Sequence, residues 1–160
     1  MHFILLTHSR ELLKKTATGP LVKQAMQQQC DIIEWSRTEP DARLTQSLDR
    51  NKTLLIYPEY KEPAQQLQSS DDISRFDTFI ILDGTWQEAR KMYNRSPYLH
   101  SLIHYSLDIT TPSRYLLRRN QKSIGLCTAE VAIALLQKQG QLEQASQLEQ
   151  RFLDFNSGFK

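Results

Sequence analysis

The chain has few cysteines and few glycines, and both shortages exclude familiar chemistries. Cys30 and Cys127 are the only cysteines among 160 residues, and neither belongs to a Cys-x-x-Cys pair or a Cys/His cluster. A structural zinc site is therefore not expected. The five glycines form no Gly-x-Gly-x-x-Gly turn, no P-loop and no Gly-x-Ser-x-Gly elbow. His100 and His104 have helical metal-ligand spacing but sit in a strand-like stretch, so no metal is expected. No apolar run approaches the ~20 residues of a membrane span. Met1-His2-Phe3-Ile4-Leu5-Leu6 lacks the basic region and cleavage site of a signal peptide and reads as a first strand. A cytoplasmic protein with no membrane partner is the expectation. Strong net charge is lacking too: +2, with 24% charged and 39% hydrophobic residues, suits one soluble globular domain over residues 1–160.

What is present is an alternation of short apolar runs and helical patterns. Strands are expected at residues 3–7, 30–35, 53–57 (stopped by Pro58), 78–82 and 101–107. Helices are expected at 9–15, at 21–29, from Glu39-Pro40-Asp41 through Leu44 and Leu48, at 86–94 (ended by Ser96-Pro97), at 128–139 and at 141–155, the last two broken at Gly140. Residues 60–76 are polar and expected to be irregular. The pattern predicts an α/β fold with a mainly parallel sheet and helices on both faces.

The most informative segment runs from Phe79 to Tyr93. A buried strand ends at Leu82-Asp83-Gly84-Thr85, and Ala89, Met92 and Tyr93 continue at helical spacing. A carboxylate, a glycine and a hydroxyl thus gather at the carboxyl end of a strand, where open α/β sheets place ligands. The same residues also suit an ordinary turn in which Thr85 caps the helix and Asp83 receives loop or helix amides. Trp86 is expected to pack at the helix start rather than to offer a stacking face. Two further loops can converge with this one, at Tyr57-Pro58-Glu59 and at Ile124-Gly125-Leu126-Cys127-Thr128. Gly84 and Gly125 would let the backbone approach a ligand closely, and Thr128 also suits a helix N-cap. His8, Arg10 and Glu11 follow the first strand at the same edge; Arg10 suits a carboxylate or a phosphate.

Asp83-Gly84-Thr85-Trp86 resembles the Asp-x-Thr-Trp signature of the DTW-domain family. Ser113-Arg114-Tyr115-Leu116-Leu117-Arg118 is similar to that family's Ser-x-Tyr-x-Leu-Arg element. Gly125-Leu126-Cys127-Thr128-Ala129-Glu130 resembles its Leu-Ser-Thr-x-Glu-Ala element, with Cys127 for serine and Val131 for alanine. Thr16-Ala17-Thr18-Gly19-Pro20-Leu21, after Glu11, resembles its opening Thr-Asn-Thr-Gly-x-Leu block without the asparagine. The resemblance implies a tRNA-uridine aminocarboxypropyltransferase of a short form, without the cysteine-rich segment that many bacterial members carry before the first strand. It implies a SPOUT-like fold with a C-terminal knot, and S-adenosylmethionine as the donor to N3 of a uridine in tRNA. Methyl transfer by the same class of enzyme, or a non-catalytic RNA-binding domain, are the alternatives.

Against that reaction the residues take these roles. Asp83, assisted by Thr85, is the expected base or orienter for the uridine N–H. Tyr57, Pro58, Leu82, Asp83, Gly84, Thr85, Gly125, Leu126 and Thr128 are expected to line the donor. Between Arg90 and Lys122 seven basic residues face one acid, Asp108. Arg90, Arg95, Arg114, Arg118 and Arg119 are the expected phosphate contacts, unless the run is only a solvated face. Tyr115 is expected at the same RNA surface, and Tyr93, Tyr98 and His100 are further candidates for stacking on bases.

Overall fold

The computed structural model describes residues 1–57, 65–107 and 127–158. Among the described residues six strands form one sheet: β1 (His2–Thr7), β2 (Cys30–Glu34), β3 (Thr53–Ile56), β4 (Gln65–Leu67), β5 (Thr78–Asp83) and β6 (Ile103–Tyr105). Their order is β2-β1-β5-β3-β6-β4, and every pairing among the described residues is parallel. Seven α-helices lie among the described residues: α1 (Ser9–Leu12), α2 (Gly19–Met26), α3 (Ala42–Thr45), α4 (Trp86–Asn94), α5 (Pro97–His100), α6 (Thr128–Lys138) and α7 (Leu142–Ser157). None of them is long and apolar enough to cross a membrane.

The two-residue period of the strands divides the core. Phe3, Leu5, Phe79 and Ile81 face one side, where Leu21 and Val22 of α2, Leu136 of α6 and Phe152 of α7 cover them. Ile4, Leu6 and Ile80 face the other, under Leu44 of α3, Met92 and Tyr93 of α4 and Leu99 of α5. Strands apolar on both faces need helices on both faces, and the expected α/β layering is what the chain adopts. Residues 108–126, which join β6 to α6, lie outside the described residues, so the knot is not traced.

Several boundaries differ from expectation, each for a local reason. β4 falls within a stretch expected to be irregular. It is a short edge strand whose Gln66 amide bonds Ser106 Oγ at 2.7 Å, so polar composition hid it. α1 stops at Leu12 because the chain turns back, with Lys14 N–H on Glu11 O and Ala17 N–H on Lys14 O. α2 begins at Gly19 with Pro20 in its first turn and ends at Met26, where Gln27 takes φ 53°. Lys23 Nζ closes that end by donating to Gln27 O at 3.0 Å and Cys30 O at 2.6 Å. α3 retains only Leu44 of its expected apolar pair. Pro97 does end α4, but it also opens α5, which shortens the last central strand to β6. Gly140, at φ 75°, breaks the two closing helices as expected.

The order reverses beside β1: the chain leaves β1 toward β2 and returns on the other side through β3 and β5. The crevice of such a sheet lies outside the carboxyl ends at this switch. There Thr7 and Asp83 are register partners.

Candidate functional site

Asp83 continues the Phe79–Ile81 side of β5, so its side chain enters the α2/α6 layer and is only 4% exposed. The same parity brings buried Thr7 of β1 to the same side. Thr128, the first residue of α6, donates its hydroxyl to Asp83 Oδ1 at 2.7 Å. Gly19, the first residue of α2, lies over the other oxygen: a Cβ there would stand 2.6 Å from Asp83 Oδ2. Thr18 accepts the Ala129 N–H at 3.1 Å, which fastens the start of α6 to that of α2. Glu130, also buried, accepts the Cys127 N–H at 3.2 Å. Two helices and two strands therefore meet on one carboxylate.

Burial pushes the Asp83 carboxyl up from 3.8 to about 6, and the Glu11 charge acts in the same direction. The Thr128 hydroxyl, Lys14 and the Thr7 hydroxyl oppose this. Among the described residues no cation forms an ion pair with Asp83. A carboxylate titrating near 6 is mostly ionised at neutral pH yet more basic than an ordinary one, which suits proton acceptance. The thiols of Cys30 and Cys127 are driven the other way in reactivity, to about 12, chiefly by burial.

Gly19 yields a direct test. At a helix start Gly→Ala is ordinarily neutral or stabilising, but here the added methyl meets a buried, hydrogen-bonded carboxylate. Gly19→Ala is expected to cost about 1–3 kcal/mol in denaturant unfolding, and most of that cost should vanish in an Asp83→Ala background. An equal cost in both backgrounds would place the strain elsewhere.

The other expected site residues fall around this centre. Thr85 caps α4: its Oγ1 accepts the Glu88 N–H at 3.1 Å while Glu88 Oε1 accepts the Thr85 N–H at 2.9 Å. It does not hold the Asp83 carboxylate; Thr128 does. Thr128 in turn is not the N-cap of α6, a place taken by Cys127. The space over Gly84 is filled: a Cβ there would stand 3.1 Å from both Glu88 Cβ and Glu88 Oε1, and 3.4 Å from His8 Cβ. His8 donates its backbone N–H to Asp83 O at 2.9 Å, and its ring stacks on Trp35. Leu82 packs partly buried against the opposite cluster. Arg10, Arg90 and Arg95 are exposed. Pro58, Gly125 and Leu126 lie outside the described residues, as do Arg114, Tyr115, Arg118 and Arg119.

On the opposite side of the sheet an aromatic ladder reaches the same edge. The ring of Tyr57, 2% exposed, stacks on Tyr93 at 4.2 Å and 15°. Trp86 lies at 6.2 Å and 24° on Tyr57. His104 Nδ1 donates to Leu102 O at 2.8 Å, so its Nε2 accepts the Tyr93 hydroxyl, also at 2.8 Å. Burial lowers the His104 pKa, in keeping with that neutral form. Tyr93, 5% exposed, is thus committed to the core and cannot stack on a base, contrary to expectation. Trp86 packs on Tyr57 at the helix start, yet it stays 50% exposed and so presents a second face to solvent. It stands at the margin of the buried arc of α4 (Ala89, Met92, Tyr93), not within it. Among the described residues no three His, Cys, Asp or Glu side chains come together as metal ligands.

Sequence reasoning assigned no role to Thr7, Thr18 or Gly19. The last two stand in a recognised block, but only the fold brings that block onto Asp83.

The family model described as "DTW domain" matches residues 1–159. The protein named tRNA-uridine aminocarboxypropyltransferase 2 from Drosophila melanogaster is 27% identical over 148 residues, 88% of this chain and 58% of that protein. Its namesakes from Macaca fascicularis and Mus musculus are 25% and 22% identical over 149 residues, 89% of this chain and 50% of each relative. The chain therefore spans about half the length of the curated relatives it matches. No solved structure matches it. On a match that runs almost from end to end, the chain belongs to the DTW domain family.

Proposed function

We propose that residues 1–160 form a single catalytic domain that transfers the 3-amino-3-carboxypropyl group of S-adenosylmethionine to N3 of a uridine in cytoplasmic tRNA. The observation that carries this reading is the convergence on Asp83 of the Thr18-Gly19, Asp83-Gly84-Thr85 and Thr128 segments at the switch point of the sheet. The relatives' names supply the group and the nucleoside.

A buried carboxylate with no ion-pair partner among the described residues suits a donor that carries a sulfonium and an ammonium. S-adenosylmethionine supplies an electrophilic carbon whose leaving group departs as a neutral thioether, so no protein acid is needed there. The remaining demand is the proton on N3, a nitrogen on the pairing edge of uracil that must be unpaired to react. Asp83 takes or orients that proton, and Thr128 keeps its Oδ1 in place. As the N3–carbon bond forms, the carbon–sulfur pair leaves with sulfur and the proton passes to the carboxylate. Thr85 fixes the start of α4 beside it, and its O–H remains available as a donor. Tyr57, Leu82, Thr85 and Thr128, together with Pro58, Gly125 and Leu126, line the donor, with Gly84 packed under Glu88 and His8 behind them. Arg90 and Arg95, with Arg114, Tyr115, Arg118 and Arg119, hold the RNA.

The test is mass spectrometry of nucleosides from unmodified tRNA incubated with the protein and S-adenosylmethionine. Aminocarboxypropyluridine is expected. Methyluridine would assign methyl transfer instead, and tRNA that is bound but unchanged would leave an RNA-binding domain.

A further inference from the structure

We propose that Trp86 is a stacking platform for an unpaired nucleobase of the RNA, a role that rests on the RNA substrate proposed above and adds the surface that grips it. Four observations support it. Trp86 is 50% exposed although it opens α4 directly after the Asp83-Gly84-Thr85 turn, at the ligand-binding edge of the sheet. It does not stand alone but rests nearly parallel on Tyr57, which rests on Tyr93, whose hydroxyl is held by His104. The ring is thereby held in place before any ligand arrives, so little order remains to be imposed on binding. The helix that carries it is likewise pinned at its first turn by the reciprocal Thr85–Glu88 hydrogen bonds.

The fourth observation concerns charge, and it selects the occupant. The solvent-facing residues of α4 after Trp86 are Gln87, Arg90, Lys91 and Asn94, followed by exposed Arg95. The one acid of the helix, Glu88, is turned away into the cap and lies 3.6 Å from His8 Nδ1. Among the described residues, the solvent face of α4 is therefore an aromatic head with cations behind it and no anion. Arg90 follows Trp86 by one helical turn, about 6 Å along the axis. An apolar protein partner would not call for that line of cations, whereas a single strand offers a base face and phosphates at a similar spacing. Trp86 and the Asp83 carboxylate lie in opposite layers of the sheet but at the same edge. A base on Trp86 thus anchors the strand beside the reaction centre.

Binding is measured without donor and without turnover, so this proposal can fail independently of the transfer reaction. The probes are a short oligouridylate and an abasic ribose-phosphate strand of the same length. Trp86→Ala is expected to weaken oligouridylate binding by about 5- to 150-fold, the range of base–aromatic stacking, and to leave the abasic strand unaffected. Trp86→Phe should retain most of the difference between the two strands, and it guards against loss of the fold in the alanine variant. Wild-type tryptophan fluorescence should be quenched by oligouridylate, and Trp86→Phe should lose that quenching. Equal losses for both strands, or no loss for either, would overturn the proposal. So would an effect confined to S-adenosylmethionine affinity, which would place the donor's adenine on the ring instead.

Discussion

Asp83→Asn is expected to lower transfer to tRNA by about 10²–10⁴-fold, the usual worth of a general base, while making the folded protein more stable at neutral pH. The two effects share one cause. The carboxylate is 4% exposed, and its burial raises the pKa from 3.8 to about 6, so the native state carries a charge it holds poorly. Asparagine keeps the size and can still accept the Thr128 hydroxyl at Oδ1, but it needs no desolvation of an anion and accepts no proton from uridine. The gain in unfolding free energy should be on the order of 2–3 kcal/mol. The rate is to be measured at saturating donor and RNA, so that weaker binding does not enter. A structural role alone predicts the opposite pair of results: near-normal turnover with a less stable fold. Function bought at the expense of stability is the usual relation at an active site, and opposite signs in one variant would be its mark here.

The layers and the central strands were legible in the sequence because they follow from local composition. Phe3–Leu6 and Phe79–Leu82 are apolar on both faces, which only a strand covered on both sides requires. Gly140 ended a helix where its φ of 75° demands it. β4 was not legible, since a polar edge strand has no hydrophobic period to read. At the site, a strand-end carboxylate stood out, but its partners did not. Thr85 is close in sequence and its hydroxyl suited Asp83; yet the capping box occupies it, and Thr128 arrives from α6 to take that bond. Gly19 is invisible for the same reason: nothing near it in sequence indicates that a carboxylate will lie against its Cα. Trp86 packs on Tyr57 as its type suggests, but it stays half exposed because Tyr93 already fills the arc beside it. The Thr128 and Gly19 contacts join residues far apart in the chain, which propensity and period do not encode.

The pH dependence of stability should run opposite to that of activity, and the window follows from Asp83. Its folded pKa lies above its ordinary value, so between 3.8 and about 6 the native state binds a proton that the unfolded chain has released. The corresponding stability is fully present below about pH 4 and is lost as pH rises through about 6, a total on the order of 2–3 kcal/mol. Activity requires the ionised carboxylate and should climb through the same interval. Other carboxylates titrate there as well, so the quantity to measure is the difference in unfolding free energy between the wild type and Asp83→Asn across that range. That difference should be small in acid and grow toward neutral pH, always in favour of asparagine. Thr128→Val removes the hydroxyl that supports the anion and should move both the midpoint of this curve and the acid limb of activity to higher pH. A flat difference curve would mean that Asp83 is ionised in the native protein throughout the range. A carboxylate of ordinary basicity would then remain, and the case for Asp83 as the acceptor of the uridine proton would lose its physical basis.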